Sequence, residues 1–318
     1  MSTTNIILFL YNRPEHTRKT MNSIFKSINE DFIKLHIFVD GPKNKEDQDK
    51  QIEIKKIIKE YKSINKDIQL FEYYSEENKG LASSIINGVS KIFVQEDTDF
   101  VIVLEDDILI STRFVQYMNY MNEKLKGNQN IWSISGFNPI AKELEEKELL
   151  NSGEYFLHGR ASSWGWATWK DRWEKNDWST ESLLKKIDPL TKEKIKNTSP
   201  DILPMLDDQL KERIDSWAVR WVVNQFLNKS ETVYPRLSLV QNIGFDDLGT
   251  HTKKINKVSY KLQPVEENFE FKNIIKPSQK IDAILYEHYK PSLVQNIARI
   301  LKNIGLSNFV NIIKKMRS

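Results

Sequence analysis

An apolar run that ends in three carboxylates places the strongest constraint on the fold of this chain. Residues 101–104 are Val-Ile-Val-Leu, and Glu105–Asp107 follow directly. A short apolar run bounded by charge predicts a buried strand, and in an open α/β sheet ligands bind beyond the carboxyl ends of strands. Adjacent carboxylates need a compensating cation or hydrogen-bond donors, and such oxygen ligands suit Mg²⁺ or Mn²⁺ carrying a diphosphate. The alternative is an acidic turn that caps the next helix, because Ser111 and Thr112 follow.

Apolar, strand-like runs alternate with amphipathic, helix-like runs along the first third of the chain. We expect strands near 5–11, 35–39, 68–74 and 101–104, and helices from residue 14, near 46–62 and near 79–94. This alternation predicts an α/β fold, with a sheet that carries helices on its faces. The strand ends with Asn12–Arg13, Asp40 and Glu105–Asp107 should then converge at one edge, where an arginine, carboxylates and a metal would form a nucleotide pocket.

The composition excludes several classes of protein. The chain has 318 residues, enough for a large core, and its net charge of +3 is too small for a nucleic-acid-binding surface. It has no cysteine, which excludes disulfides, thiolate catalysis and cysteine-ligated zinc and is compatible with a reducing cytoplasm. The first apolar run is too short for a signal-peptide core or a membrane span. We therefore expect a cytoplasmic protein that does not bind nucleic acid.

Three tryptophans surround a glycine in the segment Arg160–Trp169. Aromatic faces separated by small residues suit stacking on sugar rings, whose C–H faces are apolar. The segment is therefore a candidate sugar-binding site. The alternative is a patch of the core, since tryptophan is often buried.

Asp215 precedes a predicted helix whose apolar face carries Trp217 and Trp221, four residues apart. An aspartate in this place is most often the N-cap of the helix. A role as a catalytic base is the less common alternative. From these residues alone both interpretations stay open.

Taken in order, the motifs of the chain resemble those of a known enzyme family. They are Tyr11–Arg13, Val39–Gly41, Asn78–Gly80, Leu104–Asp107, Ser135–Asn138, Trp164–Trp166, Ile214–Trp217 and Gly249–His251. The series resembles the GT-A glycosyltransferases, particularly those similar to N-acetylglucosaminyltransferase I and bacterial polysaccharide glycosyltransferases, over roughly residues 5–252. The resemblance implies a GT-A fold, which is a Rossmann-like mixed sheet flanked by helices. It also implies an inverting sugar transfer from a nucleotide sugar, usually a UDP-sugar, with Mn²⁺ or Mg²⁺ as cofactor.

The resemblance further implies roles for individual residues. Arg13 and Asp40 would hold the base or the phosphates, and Glu105 and Asp106 the nucleoside. The full set that it implies for donor binding is Arg13, Asp40, Lys79, Glu105, Asp106, Trp164, Gly165 and Trp166.

The same resemblance implies a metal site and a base. Asp107 would bind the metal, and His251 would contact the diphosphate or the metal. As a single histidine, His251 could instead be an ordinary loop residue. Asp215 would be the general base that takes the proton of the acceptor hydroxyl.

One departure from the family leaves the base open. The family's base is often flanked by a second acidic residue, whereas Ser216 follows Asp215. Asp207 or Asp208, just upstream, is therefore a rival base. The segment Leu203–Asp208 could be a mobile acceptor loop or a plain turn.

We expect a catalytic domain over residues 1–270, with a nucleotide-binding half (1–138) and an acceptor half (139–270), followed by a helical tail (271–318). The tail combines an apolar helical stripe with cations: Leu293, Ile297, Ile300, Leu301 and Ile304, with Arg299, Lys302, Lys314, Lys315 and Arg317. Such a helix could rest on an anionic membrane, at the inner face of the plasma membrane, where a lipid-linked acceptor would be. It could equally dock on the catalytic domain or on another subunit, so a homodimer stays open.

The sequence therefore predicts a glycosyltransferase that moves a sugar from UDP-GlcNAc or another UDP-hexose to a glycan or lipid-linked acceptor in bacterial surface polysaccharide synthesis. A nucleotidyltransferase would also need carboxylates, a metal and a nucleotide, but Leu10–Pro14 is not the glycine-rich loop that a triphosphate requires. A non-catalytic protein that binds nucleotide sugars or carbohydrate is the other alternative. The presence of Asp107 and Asp215 does not exclude it.

Overall fold

The computed structural model describes residues 3–27, 32–64, 68–151, 154–244 and 272–303. The strands are β1 (Thr3–Leu10), β2 (Phe32–Val39), β3 (Ile68–Tyr74), β4 (Phe100–Glu105), β5 (Ile108–Ile110), β6 (Ile131–Ser135), β7 (Glu154–His158), β8 (Trp166–Trp169), β9 (Glu231–Pro235), β10 (Val240–Asn242) and β11 (Asn273–Ile275). The helices are α1 (Pro14–Ser27), α2 (Lys45–Ile64), α3 (Leu81–Gln95), α4 (Phe114–Leu125), α5 (Ala141–Glu146), α6 (Lys170–Trp173), α7 (Thr180–Lys186), α8 (Pro189–Thr198), α9 (Ile202–Leu210), α10 (Trp217–Leu227), α11 (Gln279–Tyr289) and α12 (Leu293–Asn303). The strands and helices that the sequence predicts for the first third are confirmed.

Nine of the described strands form one mixed sheet, in the order β11-β7-β9-β6-β8-β4-β1-β2-β3. The neighbours β4, β1, β2 and β3 are parallel, with Leu10 opposite Val39 and Phe9 opposite Glu105. β8 runs antiparallel between β4 and β6. Because parallel neighbours end at the same edge, the turns after β1, β2 and β4 lie together. The predicted α/β fold, a mixed sheet flanked by helices, is confirmed.

The central strands are buried on both faces, which explains their continuous apolar sequences. Ile6 and Ile7 in β1 and Val101 and Ile102 in β4 are fully buried. Consecutive buried residues are typical of parallel strands covered by helices on both sides. Helices α1, α2 and α4 contribute to the core on one face, and α3 and α10 to the core on the other.

A short strand, and not a helix, follows the three carboxylates. β4 ends at Glu105, and after a turn β5 pairs antiparallel with β10, Ile108 lying opposite Asn242. Helix α4 begins later, at Phe114, with Arg113 at its N-cap position. The alternative that the acids cap the next helix is therefore wrong.

The chain after residue 271 contributes to the large sheet. β11 pairs in parallel with β7. Ile281 and Leu285 of α11 are buried in a core cluster with Phe156 and Tyr234. The boundary at residue 270 stays a prediction, although a strand of the sheet follows it.

Helix α12 contacts α9 and the segment just after it through polar groups. Arg299 Nε donates to Asp208 Oδ2 at 3.3 Å, and Arg213 Nη1 donates to Asn303 Oδ1 at 2.7 Å. This is the docking on the rest of the chain that the sequence left as an alternative to membrane contact.

The apolar residues of α12 remain exposed. Leu293, Ile297 and Ile300 are 81%, 46% and 59% exposed, respectively. Of the other predicted tail residues, Ile304, Lys314, Lys315 and Arg317 lie outside the described part of the chain. Among the helices that the structure describes, none has the length and apolar character needed to cross a membrane.

Candidate functional site

Arg13 joins two of the three carboxylates at the end of β4. Its Nε and Nη2 bond to the two oxygens of Asp106, with Nε 3.2 Å from Oδ2, and its Nη1 lies 3.0 Å from Asp107 Oδ2. Thr20 Oγ1 donates to the backbone carbonyl of Asp106 at 2.7 Å and so ties the turn to α1. A guanidinium with a bidentate carboxylate partner has a well-defined orientation. The arginine predicted to contact the base or phosphates therefore also holds the acidic turn in place.

Burial controls the protonation of this turn. It raises the pKa of Glu105 well above its usual range, and the charges of Asp107 and Asp106 add to the shift. Burial also raises the pKa of Asp106 to about 7, against the opposing effect of Arg13. For Arg13 the burial effect would lower the pKa, but the two aspartates raise it overall. The carboxylates outnumber the single arginine, so a second cation would be stabilised here.

Asp107 is the carboxylate of this turn with a predicted metal role. Its side chain is 15% exposed, and its carbonyl accepts a bond from the Ile243 N–H at 2.9 Å. Gly244 lies so close that a Cβ built there would be 2.2 Å from Asp107 Oδ2. A side chain at this position would displace the Asp107 carboxylate, a constraint that the sequence analysis missed.

The described residues fit a metal that arrives with a diphosphate better than a metal held by protein alone. Among them there is no group of three or more histidine, aspartate or glutamate side chains placed to hold a metal ion. Mg²⁺ is usually held by one or two carboxylates together with substrate phosphates and water. Asp107 supplies one such carboxylate. His251, the other predicted ligand, lies outside the described residues.

Asp40 organises the loop that leads into α3. Its carboxylate accepts hydrogen bonds from the backbone N–H groups of Gly41, Lys79 and Gly80, each at 2.9 Å, and from the Asn78 amide at 3.1 Å. Asp40 therefore joins the end of β2 to the Asn78–Gly80 motif by hydrogen bonds, although the two are about forty positions apart in sequence. The Lys79 side chain is exposed at this loop.

Asp47 is a buried acid near the same edge that the sequence analysis missed. It accepts bonds from the Tyr11 hydroxyl at 2.7 Å, the Asn12 amide at 2.6 Å and the Lys43 N–H at 3.0 Å. Burial acts to raise its pKa, but these bonds lower the pKa overall. It therefore fixes the Tyr11–Asn12 segment that leads to Arg13. An acid in the first turn of a helix that follows Asp40 could have indicated this role.

The tryptophans of the segment differ in burial. Trp166 is 1% exposed, and its ring centroid lies 5.0 Å from that of Trp217. The core alternative is therefore the one that the structure supports for Trp166. Trp164 is half-buried, with its ring centroid 4.4 Å from that of Phe137. Gly165 has φ +57°, a left-handed conformation that glycine adopts without strain.

Asp215 lies just before α10 with a side chain that is 61% exposed. The N-cap is Ser216, whose side chain accepts from the Val219 N–H, so the interpretation of Asp215 as the N-cap is wrong. A Cβ built on Gly80 would be 3.9 Å from Asp215 Oδ2, which places the carboxylate beside the loop that Asp40 holds. Arg220 Nη2 donates to Asp215 Oδ1 at 3.2 Å.

The two rival bases are engaged elsewhere. Asp208 is 16% exposed and forms ion pairs with Arg213 at 3.1 Å and Arg299 at 3.3 Å. Asp207 forms an ion pair with Lys211 at 2.6 Å. Both belong to α9, which is a helix and not the loop or turn that we expected. Asp215 is also paired, with Arg220, but at 61% it is more exposed than Asp207 at 40%, and the geometry favours it as the accessible carboxylate.

The sequence matches no protein-family model and no curated protein. In structure the chain is similar to the mannosyltransferase PcManGT from Pyrobaculum calidifontis in complex with GDP-Man and Mn²⁺, with 10% identity and a TM-score of 0.38 over 53% of this chain and 44% of that one. It is also similar to S. aureus TarS 1–349, with 12% identity and a TM-score of 0.41 over 76% and 59% of the two chains. For the galactosyltransferase LgtC in complex with donor and acceptor sugar analogues, the identity is 10% and the TM-score 0.37 over 73% of each chain. The chain thus spans about half the length of the first two proteins, and similarity at this level does not support an argument about activity.

Proposed function

We propose that this protein is a GT-A, metal-dependent, inverting glycosyltransferase. It would transfer a sugar from UDP-GlcNAc or another UDP-hexose to a glycan or a lipid-linked acceptor. The main support is the convergence at one sheet edge of an acidic turn clamped by Arg13, a loop organised by Asp40 and, beside that loop, the exposed carboxylate of Asp215. The first two suit a diphosphate with its metal, and the third suits an acceptor.

The proposed step is a single displacement at the anomeric carbon of the donor. The acceptor oxygen forms a bond to that carbon, the bond to the β-phosphate oxygen breaks, and the nucleoside diphosphate leaves with the bonding electrons. Asp215 takes the proton of the acceptor hydroxyl. Asp107 would hold a divalent metal there, and the metal would supply positive charge against the charge that develops on the diphosphate.

The other residues position these groups. In the proposal Asp107 is the metal ligand, and Arg13 keeps Asp107 and Asp106 in a fixed relation. Asp40 and Lys79 shape the loop next to the donor, and Trp164 with Gly165 borders the end of β4. We propose that Trp166 holds Trp164 and Gly165 in place from the core, since it pairs with Val103 of β4 and stacks on Trp217.

The direct test is a screen of UDP-sugars with Mn²⁺ for release of UDP. We expect release from one sugar by the native chain, and loss of about 10²-fold or more in Asp107→Ala and Asp215→Asn. Asp207→Asn is the matched control, because Asp207 pairs with Lys211 on the surface of α9. UDP binding without turnover on any acceptor would favour the non-catalytic binding protein. Absence of UDP binding would overturn the proposal.

The exposed apolar residues of α12 support a proposal about where the reaction takes place. We propose peripheral contact with an anionic membrane through the exposed Leu293, Ile297 and Ile300, which suits a lipid-linked acceptor in surface polysaccharide synthesis. The triple substitution of these residues by serine should abolish co-sedimentation with phosphatidylglycerol vesicles. Unchanged sedimentation would contradict membrane contact, and a shift in mass by light scattering would indicate instead a homodimer formed through α12.

A further inference from the structure

We infer that Arg220 is the positioning residue for the Asp215 carboxylate, an inference that rests on the proposed function. Its guanidinium is 14% exposed and reaches back over the first turn of α10. Nε donates to the Ser216 carbonyl at 3.3 Å, Nη1 to the Trp178 carbonyl at 3.1 Å and Nη2 to Asp215 Oδ1 at 3.2 Å. Two backbone anchors thus set the direction of the third donor.

The anchors are themselves fixed by packing. Asn224 on α10 bonds the Asp177 N–H at 2.9 Å and the Asp177 carbonyl at 2.8 Å, which holds the segment that carries the Trp178 carbonyl. The Trp178 ring lies 4.9 Å from the ring of Trp173, inside the cluster that also contains Trp221. The guanidinium is therefore attached to a rigid part of the core.

This attachment explains how an exposed carboxylate can keep a useful orientation. Asp215 is not a helix cap, and within the described part of the chain Arg220 donates the one hydrogen bond that its carboxylate accepts. That bond occupies Oδ1, and Oδ2 is the oxygen on the side of Gly80 and the strand-end loop. Arg220 thus orients Oδ2 toward the loop that Asp40 holds, which borders the proposed donor site. Burial lowers the pKa of Arg220 and Asp215 opposes this shift, so the two side chains are coupled electrostatically.

Orienting the Asp215 carboxylate in this way requires the geometry of an arginine side chain. A guanidinium is planar, with donors in a fixed fork, whereas a lysine ammonium is a single point charge on a flexible chain. Lysine at this position could retain the charge but could not bond two carbonyls and a carboxylate in the same geometry. The inference therefore predicts that charge alone does not restore function.

The test compares Arg220→Lys and Arg220→Met with Asp215→Asn and a matched control, Arg213→Met. Arg213 also pairs with an aspartate five residues away, Asp208, but is directed to α12. Steady-state transfer is measured with the donor that the UDP-sugar screen identifies, after thermal unfolding has shown which variants are folded. We expect kcat to fall about 10²-fold in Arg220→Met and somewhat less in Arg220→Lys, with the donor KM within twofold of the native value. Arg213→Met should keep the native kcat.

The outcomes separate this inference from the proposed function. Native kcat in Arg220→Lys, or a raised donor KM with unchanged kcat, overturns the positioning role while Asp215→Asn remains inactive. If Asp215→Asn itself keeps its activity, the assignment of the base is wrong and the positioning role is lost with it. If Arg220→Met does not fold, Arg220→Lys alone tests the positioning role. A lower kcat with an unchanged donor KM supports it, and a native kcat overturns it.

Discussion

Asp106 and Asp215 lie in the same candidate site but are held in opposite ways. The Asp106 side chain is 3% exposed and bonded by Arg13 through two nitrogens, whereas the Asp215 side chain is 61% exposed and receives one recorded bond from Arg220. A buried carboxylate must be compensated or protonated, so it contributes to the shape of the site. An exposed carboxylate remains hydrated and available to a substrate. The comparison predicts that the proposed donor side of the site, at Asp106, is coupled to stability and that the proposed acceptor side, at Asp215, is not.

Removal of Arg13 should have the largest effect on stability. Arg13→Met leaves the Asp106 carboxylate buried without its partner, and breaking a buried pair in this way costs about 3–5 kcal/mol. Urea unfolding at pH 8 measures the loss. Arg18→Met is the matched control, because the Arg18–Glu60 pair is exposed and should contribute less than about 1 kcal/mol. Equal losses in the two variants would contradict the comparison.

The protonation of Asp106 should make stability depend on pH. Its folded-state pKa is raised to about 7, so the folded chain retains a proton that the unfolded chain has lost between about pH 4 and 7. This contribution is fully present below pH 4 and is lost as the pH rises to 7. The free energy of unfolding of the native chain, relative to Asp106→Asn, should therefore fall by about 1 kcal/mol per pH unit between pH 5 and 6, and by less per unit near pH 7, where the folded-state carboxyl itself ionises. A constant difference across this range would show that Asp106 stays ionised.

Replacement of Asp40 should have an intermediate effect. Asp40→Asn keeps one acceptor oxygen but cannot accept from all three backbone N–H groups, and we expect a loss of about 2 kcal/mol. Hydrogen exchange should show the loss concentrated at Lys79 and Gly80. Asp49→Asn, on the exposed face of α2, is the control and should lie within about 0.5 kcal/mol of the native chain. Unchanged protection at Lys79 and Gly80 would mean that the loop is held by other contacts.

Replacement of Asp215 should have the smallest effect on stability. Asp215→Asn removes one exposed partner of Arg220, so the free energy of unfolding should change by less than about 0.5 kcal/mol while transfer is lost. Urea unfolding and the transferase assay on the same preparation check both parts. A stability loss above about 2 kcal/mol would assign Asp215 a structural role and remove the contrast with Asp106.

Much of the donor side could be predicted because it depends on local pattern. The apolar run 101–104 followed by acids predicts both the strand and the position of Glu105–Asp107 at its end. Asp40 follows its strand in the same way. The position of Asp47 in the first turn of α2 was a local signal that went unused, but its partner Tyr11 lies far away in the chain. The role of Gly244 could not be predicted, because it depends on contact with the distant Asp107.

The acceptor side was harder to predict because several residues there have the same local pattern. The family resemblance implied Asp215 as the base, but Asp207 and Asp208 are also acids near a helix end, and the local pattern left them as rivals. All three have a cationic partner, and the structure separates them by exposure: Asp208 is 16%, Asp207 40% and Asp215 61% exposed. Asp215 also lies beside Gly80. Trp164 and Trp166 likewise alternate along one strand-like segment, and only the packing against Trp217 shows which of the two is core.

The amino-acid order alone was sufficient for the parallel strands, for the helices between them and for the edge at which their polar ends meet. These features follow from hydrophobic periodicity, which acts over a few residues. Only the tertiary structure decided which acids are buried, which are paired and which face solvent. Arg13 meets Asp106 across 93 positions of sequence, and the burial that raises the pKa of Asp106 exists only once the sheet and its helices have closed around that contact.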